Sequence, residues 1–462
     1  MLHADGCLQF RRLSQATRRE VLSLGAATGL GLSLPALFRA REAAAASKPQ
    51  AAAQSLILIY LHGGHPQHET WDPKPEAPAE VRGELGSIET ALAGVRFGEC
   101  LPRLARLADR LAIIRAMSHD NPNHVQASLP AMTGHAHPRE AYARGDFPPS
   151  ASDFPCFGAV VDHLRGAGGS LPNWVRIGPL MHRSNGTVLH GQLPGFLGDA
   201  HNPFAVNQDL RGDAVQVEAV EPRIGVERLR DRRRLLADLD DQRRKLDAAA
   251  AGTLDRFRQR AFELLSSDAT QRAFDLAAEP PDVRDRYGRT QFGQACLLAR
   301  RLAESGVPLV NVHYCKSPSG SWDTHGNNFR QMRDSLGPTF DQAFSALVDD
   351  LERRGSADRV TALATAEFGR TPKINRSAGR DHWPWVYSIA LAGAGLKRGA
   401  VYGASDRLGA YPDARPHDPR DLAATVYHLL GIPADTVLHD NLDRPHRLVI
   451  GKPIEGVLAG GA

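Results

Sequence analysis

Five nearly continuous apolar runs constrain the fold of this chain. The first covers residues 54–61, reads Gln-Ser-Leu-Ile-Leu-Ile-Tyr-Leu and ends in His62-Gly63-Gly64. Runs of the same kind cover 111–117, 307–314, 360–366 and 386–392. An apolar run of this length without polar alternation is typical of a strand buried on both faces, as in a parallel sheet. We therefore predict that these runs form the centre of one mainly parallel sheet.

Helix-like stretches separate the apolar runs. They cover 101–109, 157–165, 284–305, 340–353 and 419–430. Strands that alternate with helices predict a doubly wound α/β fold with helices on both faces of the sheet. In such folds ligands bind at the carboxyl ends of the strands. The pattern therefore indicates where a functional site should lie, namely where the apolar runs end.

Carboxylates and imidazoles collect in three short segments within some sixty residues. Asp323 and His325 lie in Trp-Asp-Thr-His-Gly, Glu367 lies in Glu-Phe-Gly-Arg, and His382 lies in Gly-Arg-Asp-His-Trp-Pro. The first two segments follow apolar runs. A mixture of Asp, Glu and His without Cys suits zinc, manganese or another divalent ion. Asp and His are also common in ordinary loops, but the clustering favours a metal site.

The bulk composition excludes several classes of protein. The chain has 462 residues, of which 42% are hydrophobic, and its formal charge of +4 comes from 56 basic against 52 acidic residues. This small excess does not indicate a nucleic-acid partner or a membrane surface. Five cysteines without CxxC spacing form neither a zinc ribbon nor a redox pair, so we expect buried thiols, although pairing stays open.

The N-terminal segment predicts export. Arg18-Arg19 precedes a mildly apolar run over 24–38, and Ala43–Ala46 offers a cleavage site, as in twin-arginine signal peptides. The apolar run spans about 15 residues, fewer than the roughly 20 that cross a bilayer, so no stable membrane span is expected. We predict a signal peptide over 1–46, a mature domain over 47–462 and a periplasmic or extracellular location.

One segment of the mature chain differs in composition from the rest. Around 221–280 it is rich in Arg, Asp, Leu and Ala with a helical period. It could be taken for a basic nucleic-acid patch, but Asp238, Asp240 and Asp241 balance the arginines. We predict a helical insertion with a solvated or oligomer-forming face.

Several motifs together resemble a known family. In chain order they are Gly63-Gly64, Trp71-Asp72-Pro73-Lys74-Pro75, Arg82-Gly83-Glu84, Arg286-Tyr287-Gly288-Arg289-Thr290, Trp322 to Asn328, Glu367 to Pro372 and Gly379 to Pro384. They are similar to the motifs of the DUF1501 family, exported sulfatase-like proteins of the alkaline phosphatase superfamily. The resemblance implies a three-layer α/β/α sandwich with metal ions at the carboxyl edge of the sheet and cleavage of phosphate or sulfate esters.

The resemblance also implies roles for individual residues. Asp323 and His325 stand where the superfamily places ligands of its first metal, and His382 corresponds to the later histidine of that metal. Glu367 takes the place of an Asp ligand, and Phe368 replaces the ligand that normally follows it. Where an Asp should follow the first strand, this chain has His62, which we also predict to be a metal ligand.

The position of the superfamily nucleophile holds no hydroxyl or thiol. It normally lies nine residues before the Thr of a Thr-Gly pair, here Thr133-Gly134, and is occupied by His124. This imidazole could bind metal, act as a general base or attack directly, but direct attack by metal-activated water is the preferred mechanism. Arg370 is the candidate for holding a substrate oxyanion.

Two functions therefore remain open. The first is an exported metal-dependent hydrolase of sulfate or phosphate esters, acting on a small-molecule or polysaccharide ester. The second is a non-catalytic metal- or ligand-binding protein on the same fold. The cluster of potential metal ligands supports the first, and the substituted nucleophile position supports the second.

Overall fold

A computed structural model describes residues 51–166, 171–213, 215, 217, 267–314 and 322–460. The predicted signal peptide over 1–46 lies outside these residues, as does the predicted helical insertion except for its last part from 267 onwards. Both therefore stay predictions. Ala51–Ala462 form one compact unit.

The unit is built around an eight-stranded sheet. Its strands are β1 (Ser55–Tyr60), β2 (Leu111–Met117), β3 (Trp174–Ile177), β4 (Phe204–Val206), β5 (Leu309–His313), β6 (Val360–Thr365), β7 (Tyr387–Gly393) and β8 (Ala400–Tyr402). Their order in space is β8-β2-β7-β6-β1-β5-β3-β4. Only β7 runs antiparallel to its neighbours, and the other adjacent pairs are parallel. The predicted mainly parallel sheet is confirmed, and each of the five predicted strands is present.

Three strands were not predicted. β3, β4 and β8 are three or four residues long, and β4 and β8 are the two edges of the sheet. Such short strands carry too few residues for an apolar run to stand out from the flanking loops. They extend the sheet without changing its centre, where β1 pairs with β5 on one side and β6 on the other.

Helices cover both faces of the sheet. They are α1 (Ala79–Arg82), α2 (Pro102–Arg106), α3 (His124–Thr133), α4 (Phe157–Arg165), α5 (Asp268–Phe274), α6 (Pro281–Tyr287), α7 (Gln291–Glu304), α8 (Asn328–Gln331), α9 (Gly337–Arg353) and α10 (Pro419–Leu429). A π-helical turn, Met332–Leu336, joins α8 to α9. The helix predicted over 284–305 is interrupted at Gly288, which has a φ of 88°, and α7 restarts with the Thr290 side chain accepting a hydrogen bond from the amide of Gly293.

The alternation of side chains along β1 creates two cores. Ile57 and Ile59 pack in a cluster with residues of α7 and α9, whereas Leu56 and Leu58 pack in another cluster with residues of α4 and α10. Successive residues of a strand point to opposite faces, so a strand that is apolar at every position needs a helical layer on each side. The three-layer sandwich is confirmed.

Small antiparallel ribbons decorate the sandwich. They pair Ser87–Glu89 with Arg96–Gly98, Gly369–Arg370 with His382–Trp383, Ala404–Ser405 with Pro412–Ala414, and Val437–His439 with Pro445–Arg447. The second ribbon sets His382 opposite Arg370 and so brings two of the sequence motifs together beyond the end of β6.

Three of the five thiols can be placed. Cys100, Cys156 and Cys296 are buried and unpaired, and burial raises the pKa of Cys100 and of Cys156 to about 12. Within the described ranges, no helix combines the length and apolar character needed to cross a bilayer.

Candidate metal centre

The carboxyl ends of the central strands deliver most of the predicted site. His62 follows β1, Glu367 follows β6, and Asp323 lies on the segment beyond β5. His124 is the first residue of α3, whose N-terminus is capped by the Asn123 side chain accepting a hydrogen bond from the amide of Gln126. Because the strands are parallel, these segments share one edge of the sheet.

Asp323 lies at the centre of the cluster. Its Oδ1 atom is 3.2 Å from Nε2 of His124 and 3.1 Å from Nε2 of both His325 and His382. Arg370 contacts the same oxygen at 2.6 Å. Burial favours the neutral carboxyl, but the surrounding imidazoles of His124, His325 and His382 outweigh it and hold the pKa of Asp323 well below its usual range. Asp323 is therefore an anion surrounded by nitrogen atoms.

Glu367 fixes the orientation of His124. The fully buried Glu367 accepts a hydrogen bond from the amide of Gly63 at 2.8 Å, and its Oε1 lies 2.5 Å from Nδ1 of His124. Burial alone would raise the pKa of Glu367. The combined interactions with His124 and its other neighbours outweigh this effect, so the pKa falls to about 2. The ionised carboxylate thus holds the Nδ1 proton of His124, and the Nε2 atom of that ring is left to face Asp323.

His382 is oriented in the same sense. Its Nδ1 donates to the carbonyl of Pro122 at 2.7 Å, so the Nε2 lone pair points to Asp323. Burial lowers the pKa of His382 to about 4, and the ring is neutral at neutral pH. Ligating histidines in metal sites commonly have their second nitrogen held in this way by a carboxylate or a carbonyl.

The resulting atoms fit a metal ion. One ligand atom each from His124, Asp323 and His382 lies within 4.8 Å of the others. Nε2 of His124 and Oε2 of Glu367 are buried without a hydrogen-bond partner among the described residues. A buried nitrogen with no partner is costly in a folded protein, but a nitrogen that binds a metal ion needs no hydrogen-bond partner. Two imidazoles and a carboxylate are a donor set that zinc and similar ions accept.

His325 and His62 flank the three convergent side chains and differ in exposure. His325 is half exposed at the rim, with Nε2 2.8 Å from Nε2 of His382 and Nδ1 2.8 Å from Asp381. Asp323 raises the pKa of His325. His62 is buried, its ring lies 6.1 Å edge-on from that of His124, and burial lowers its pKa to about 4. Its Nδ1 also has no hydrogen-bond partner within the described part of the chain.

Phe368 packs against two imidazoles of the cluster. Its ring is 4.7 Å from the ring of His124 and 4.8 Å from that of His382. An aromatic side chain at this point packs against both imidazoles and excludes water from one side of them.

The role expected for Arg370 does not fit its surroundings. The side chain is fully buried and donates to the carbonyls of Gly64, Arg380 and Gly63 as well as to Asp323. A guanidinium with these partners is not available to a substrate oxyanion. Arg370 instead ties the loop after β1 to Asp323, and this is a correction to the sequence-based assignment.

Arg183 is a basic group at the site that the sequence did not indicate. Its Nη1 atom is 3.7 Å from Oδ2 of Asp323, and its Nε is 3.8 Å from Asp146. Both distances exceed those of a hydrogen bond, and about a third of the side chain is exposed. Arg183 lies in a turn in which its amide donates to the carbonyl of Thr187. No pattern in that segment pointed to the site, because the turn reaches it only through the tertiary fold.

Three histidines and an aspartate near the same edge of the sheet have structural hydrogen bonds. His65, His68 and His119 bind the backbone carbonyls of Ser388, Leu408 and Glu367, respectively. Asp72 bonds to Ser405 and Lys74. These contacts give each side chain a structural partner.

Comparison with solved structures returns sulfatases and related enzymes. A sulfatase-related protein from work on glycosaminoglycan metabolism by Bacteroides thetaiotaomicron is 10% identical over 82% of this chain and 74% of its own, with a TM-score of 0.38. PsFucS1 sulfatase from Pseudoalteromonas sp. is 12% identical over 85% and 70%, with a TM-score of 0.38. A TAB5 alkaline phosphatase mutant with bound Mg is 8% identical over 76% and 94%, with a TM-score of 0.34. Such identities do not carry an activity from one chain to another.

Comparison of sequences identifies the family. No curated protein matches the chain. The family model described as "Protein of unknown function (DUF1501)" matches residues 53–458, which is nearly the whole of the compact unit. The chain therefore belongs to the DUF1501 family.

Proposed function

We propose that this protein is a metal-dependent hydrolase of sulfate or phosphate esters. The observation that carries the proposal is the convergence of His124, Asp323 and His382 on one point, with the second nitrogen of each imidazole already held by Glu367 or by Pro122. Packing alone does not require two imidazole nitrogens to face one partly buried carboxylate.

The three side chains would hold a divalent ion such as zinc or manganese through Nε2 of each histidine and a carboxylate oxygen. When bound, the ion supplies a Lewis acid that polarises the ester and activates water for attack. Glu367 keeps the Nδ1 proton on His124 and so keeps Nε2 as a ligand. His325 reaches the same centre, but its Nε2 must first move from the 2.8 Å contact with His382, because two nitrogens bound to one ion lie roughly 3.3 Å apart.

Arg183 would bind the anionic part of the substrate. It approaches the site from the exposed side and has no close ion pair to break, since its contacts with Asp323 and Asp146 are 3.7 and 3.8 Å long. An arginine that offers two parallel N–H groups matches the geometry of sulfate and phosphate oxygens. When an ester of a small molecule or a polysaccharide binds, the charged oxygens of its sulfate or phosphate group would contact Arg183.

The same proposal includes export. The twin arginines at Arg18-Arg19 and the Ala-rich end of the leader support translocation by the twin-arginine route to the periplasm or the exterior. That route carries folded proteins, which suits a chain that binds its metal before it leaves the cytoplasm. Cell fractionation of the wild type beside Arg18→Lys/Arg19→Lys would test it, and an unchanged distribution would contradict it.

The decisive experiment joins metal content to turnover. Purified wild type, Asp323→Asn and the control Asp349→Asn are compared by elemental analysis and with aryl sulfates and aryl phosphates. The Asp349 carboxylate lies on α9 and pairs with Arg353, Arg110 and Arg286. We expect Asp323→Asn to lose one equivalent of metal and all turnover, and Asp349→Asn to keep both. Metal lost in Asp323→Asn without turnover in the wild type would instead indicate a binding protein on the same fold. A folded wild type whose metal content does not depend on Asp323 would overturn the proposal.

A further inference from the structure

A second group of metal-ligand side chains lies outside the candidate metal centre. It consists of His137, Asp153 and His190, and one ligand atom of each lies within 4.8 Å of the others. His190 is fully buried and Asp153 is nearly so, whereas His137 is partly exposed. We propose that these three residues bind a second divalent transition-metal ion such as zinc.

The contacts converge on a single atom. Nδ1 of His190 lies 2.5 Å from Oδ2 of Asp153 and 3.2 Å from Nε2 of His137. Two nitrogens bound to one tetrahedral zinc at about 2.0–2.1 Å are roughly 3.3 Å apart. The two imidazoles therefore already have the separation that the ion requires. Asp153 must withdraw from His190 by about 0.8 Å for its oxygen to reach the same spacing from that nitrogen.

The second nitrogen of His190 is held as in a ligating histidine. Nε2 lies 3.0 Å from the carbonyl of Phe147 and donates its proton to that oxygen. This bond leaves Nδ1 as the atom that faces Asp153 and His137. Asp153 is itself oriented by the Ser150 hydroxyl, which donates to Oδ1 at 3.0 Å. Such outer contacts fix ligand geometry in metal sites.

Apolar packing shields one side of the His137 group from water, and the other side is open. The Phe147 ring packs 4.7 Å from the ring of His190 and 5.2 Å from that of His137, and Arg144 covers Phe147 at 4.0 Å. His137 itself is partly exposed. Its partial exposure gives the ion a path of entry.

A similar trio elsewhere in the fold shows what a plain hydrogen-bond chain looks like. His201 binds Asp162 through Nδ1 at 2.9 Å and His163 through Nε2 at 3.3 Å. Its two partners lie on opposite sides of the ring, so their atoms cannot share one ion. In the His137 group, Asp153 and His137 both face Nδ1 of His190. A metal ion can bind all three atoms, whereas a single proton cannot form good hydrogen bonds with all of them.

The proposed ion would brace the wall of the candidate metal centre. The amide of His190 donates to the carbonyl of Val125, and its own carbonyl accepts from the Ser128 hydroxyl. Both of these residues belong to α3, the helix that begins with His124. Metal at His190 would therefore fasten the segment around Asp153 to this helix and add stability without contacting a substrate.

Zinc binding to the purified protein tests the inference. Isothermal titration and elemental analysis are applied to wild type, His137→Gln, the control His163→Gln, Asp323→Asn and the double variant His137→Gln/Asp323→Asn. We expect two equivalents of zinc in wild type and His163→Gln, one in each of His137→Gln and Asp323→Asn, and none in the double variant. Zinc should also raise the melting temperature of Asp323→Asn but not that of the double variant.

The outcomes separate this inference from the proposed function. If His137→Gln binds as much zinc as wild type, the trio is only a buried ion pair and the inference is overturned. If zinc is lost in His137→Gln but unchanged in Asp323→Asn, the inference holds and the proposed function fails. Because His137 is partly exposed and its removal leaves the Asp153–His190 pair intact, His137→Gln should fold, and its circular dichroism verifies that it does.

Discussion

The ion pair between Arg380 and Glu69 offers a sharp test of what holds the candidate metal centre together. Both side chains are buried, with exposed fractions of 0% and 1%. Nε of Arg380 lies 3.1 and 3.0 Å from the two carboxylate oxygens, and Nη2 lies 2.6 Å from Oε1. Arg380 also donates to the carbonyls of Thr371, Pro372 and Val81. It thus fixes the loop that ends at His382.

Replacing Arg380 by Met should lower the free energy of unfolding by about 3–5 kcal/mol, the usual cost of leaving one partner of a buried pair uncompensated. The double variant Glu69→Leu/Arg380→Met should recover most of this loss, because no buried charge then remains. Urea denaturation followed by tryptophan fluorescence measures both. The control is Arg398→Met, whose exposed pair with Glu352 at 2.7 Å should contribute less than about 1 kcal/mol.

Two results would refute this reasoning. One is an Arg380→Met variant that unfolds within about 1 kcal/mol of wild type, since the buried carboxylate would then be solvated or neutral at little cost. The other is a double variant no more stable than the single one, which would place the loss in the backbone contacts of Arg380 and not in the charge of Glu69.

Three further predictions concern single groups. Glu367→Gln should weaken zinc binding at the candidate metal centre by roughly 10–100-fold, as loss of an outer-shell carboxylate does; chelator competition measures it, and unchanged affinity would remove Glu367 from the site. Arg183→Met should raise KM for a sulfate or phosphate ester more than it lowers kcat, whereas equal KM values would exclude substrate binding by Arg183. Burial raises the pKa of Asp341 to about 6, so the stability gained from its protonated form is present below about pH 4 and lost as the pH rises through 6. The stability of Asp341→Asn relative to wild type should therefore increase by up to about 3 kcal/mol between pH 4 and pH 8, and a constant difference in urea midpoints would contradict the assignment.

The candidate metal centre was only partly predictable. Asp323, His325, Glu367 and His382 could be grouped in advance, because carboxyl ends of parallel strands meet at one edge. The pairing of His124 with Glu367 joins residues 243 positions apart, and local patterns carry no information about such a contact. Arg370 and Arg183 were indistinguishable as arginines in loops. Burial and hydrogen-bond partners, which depend on the packed structure, give Arg370 a structural role. The same criteria leave Arg183 partly exposed and without a close partner in its ion pairs.

The sequence by itself determined the layers of this protein. Apolar runs without alternation can be stable only between two helical layers, so the pattern of 54–61 and of the four similar runs specified the buried sheet from local information. The tertiary structure decided which polar atoms are left without partners. His137, Asp153 and His190 carried no local signal, and they became a candidate site only because the fold turns two side chains toward one nitrogen of a third. Periodicity reports burial along one element, whereas the convergence of ligand atoms depends on the relative placement of several elements.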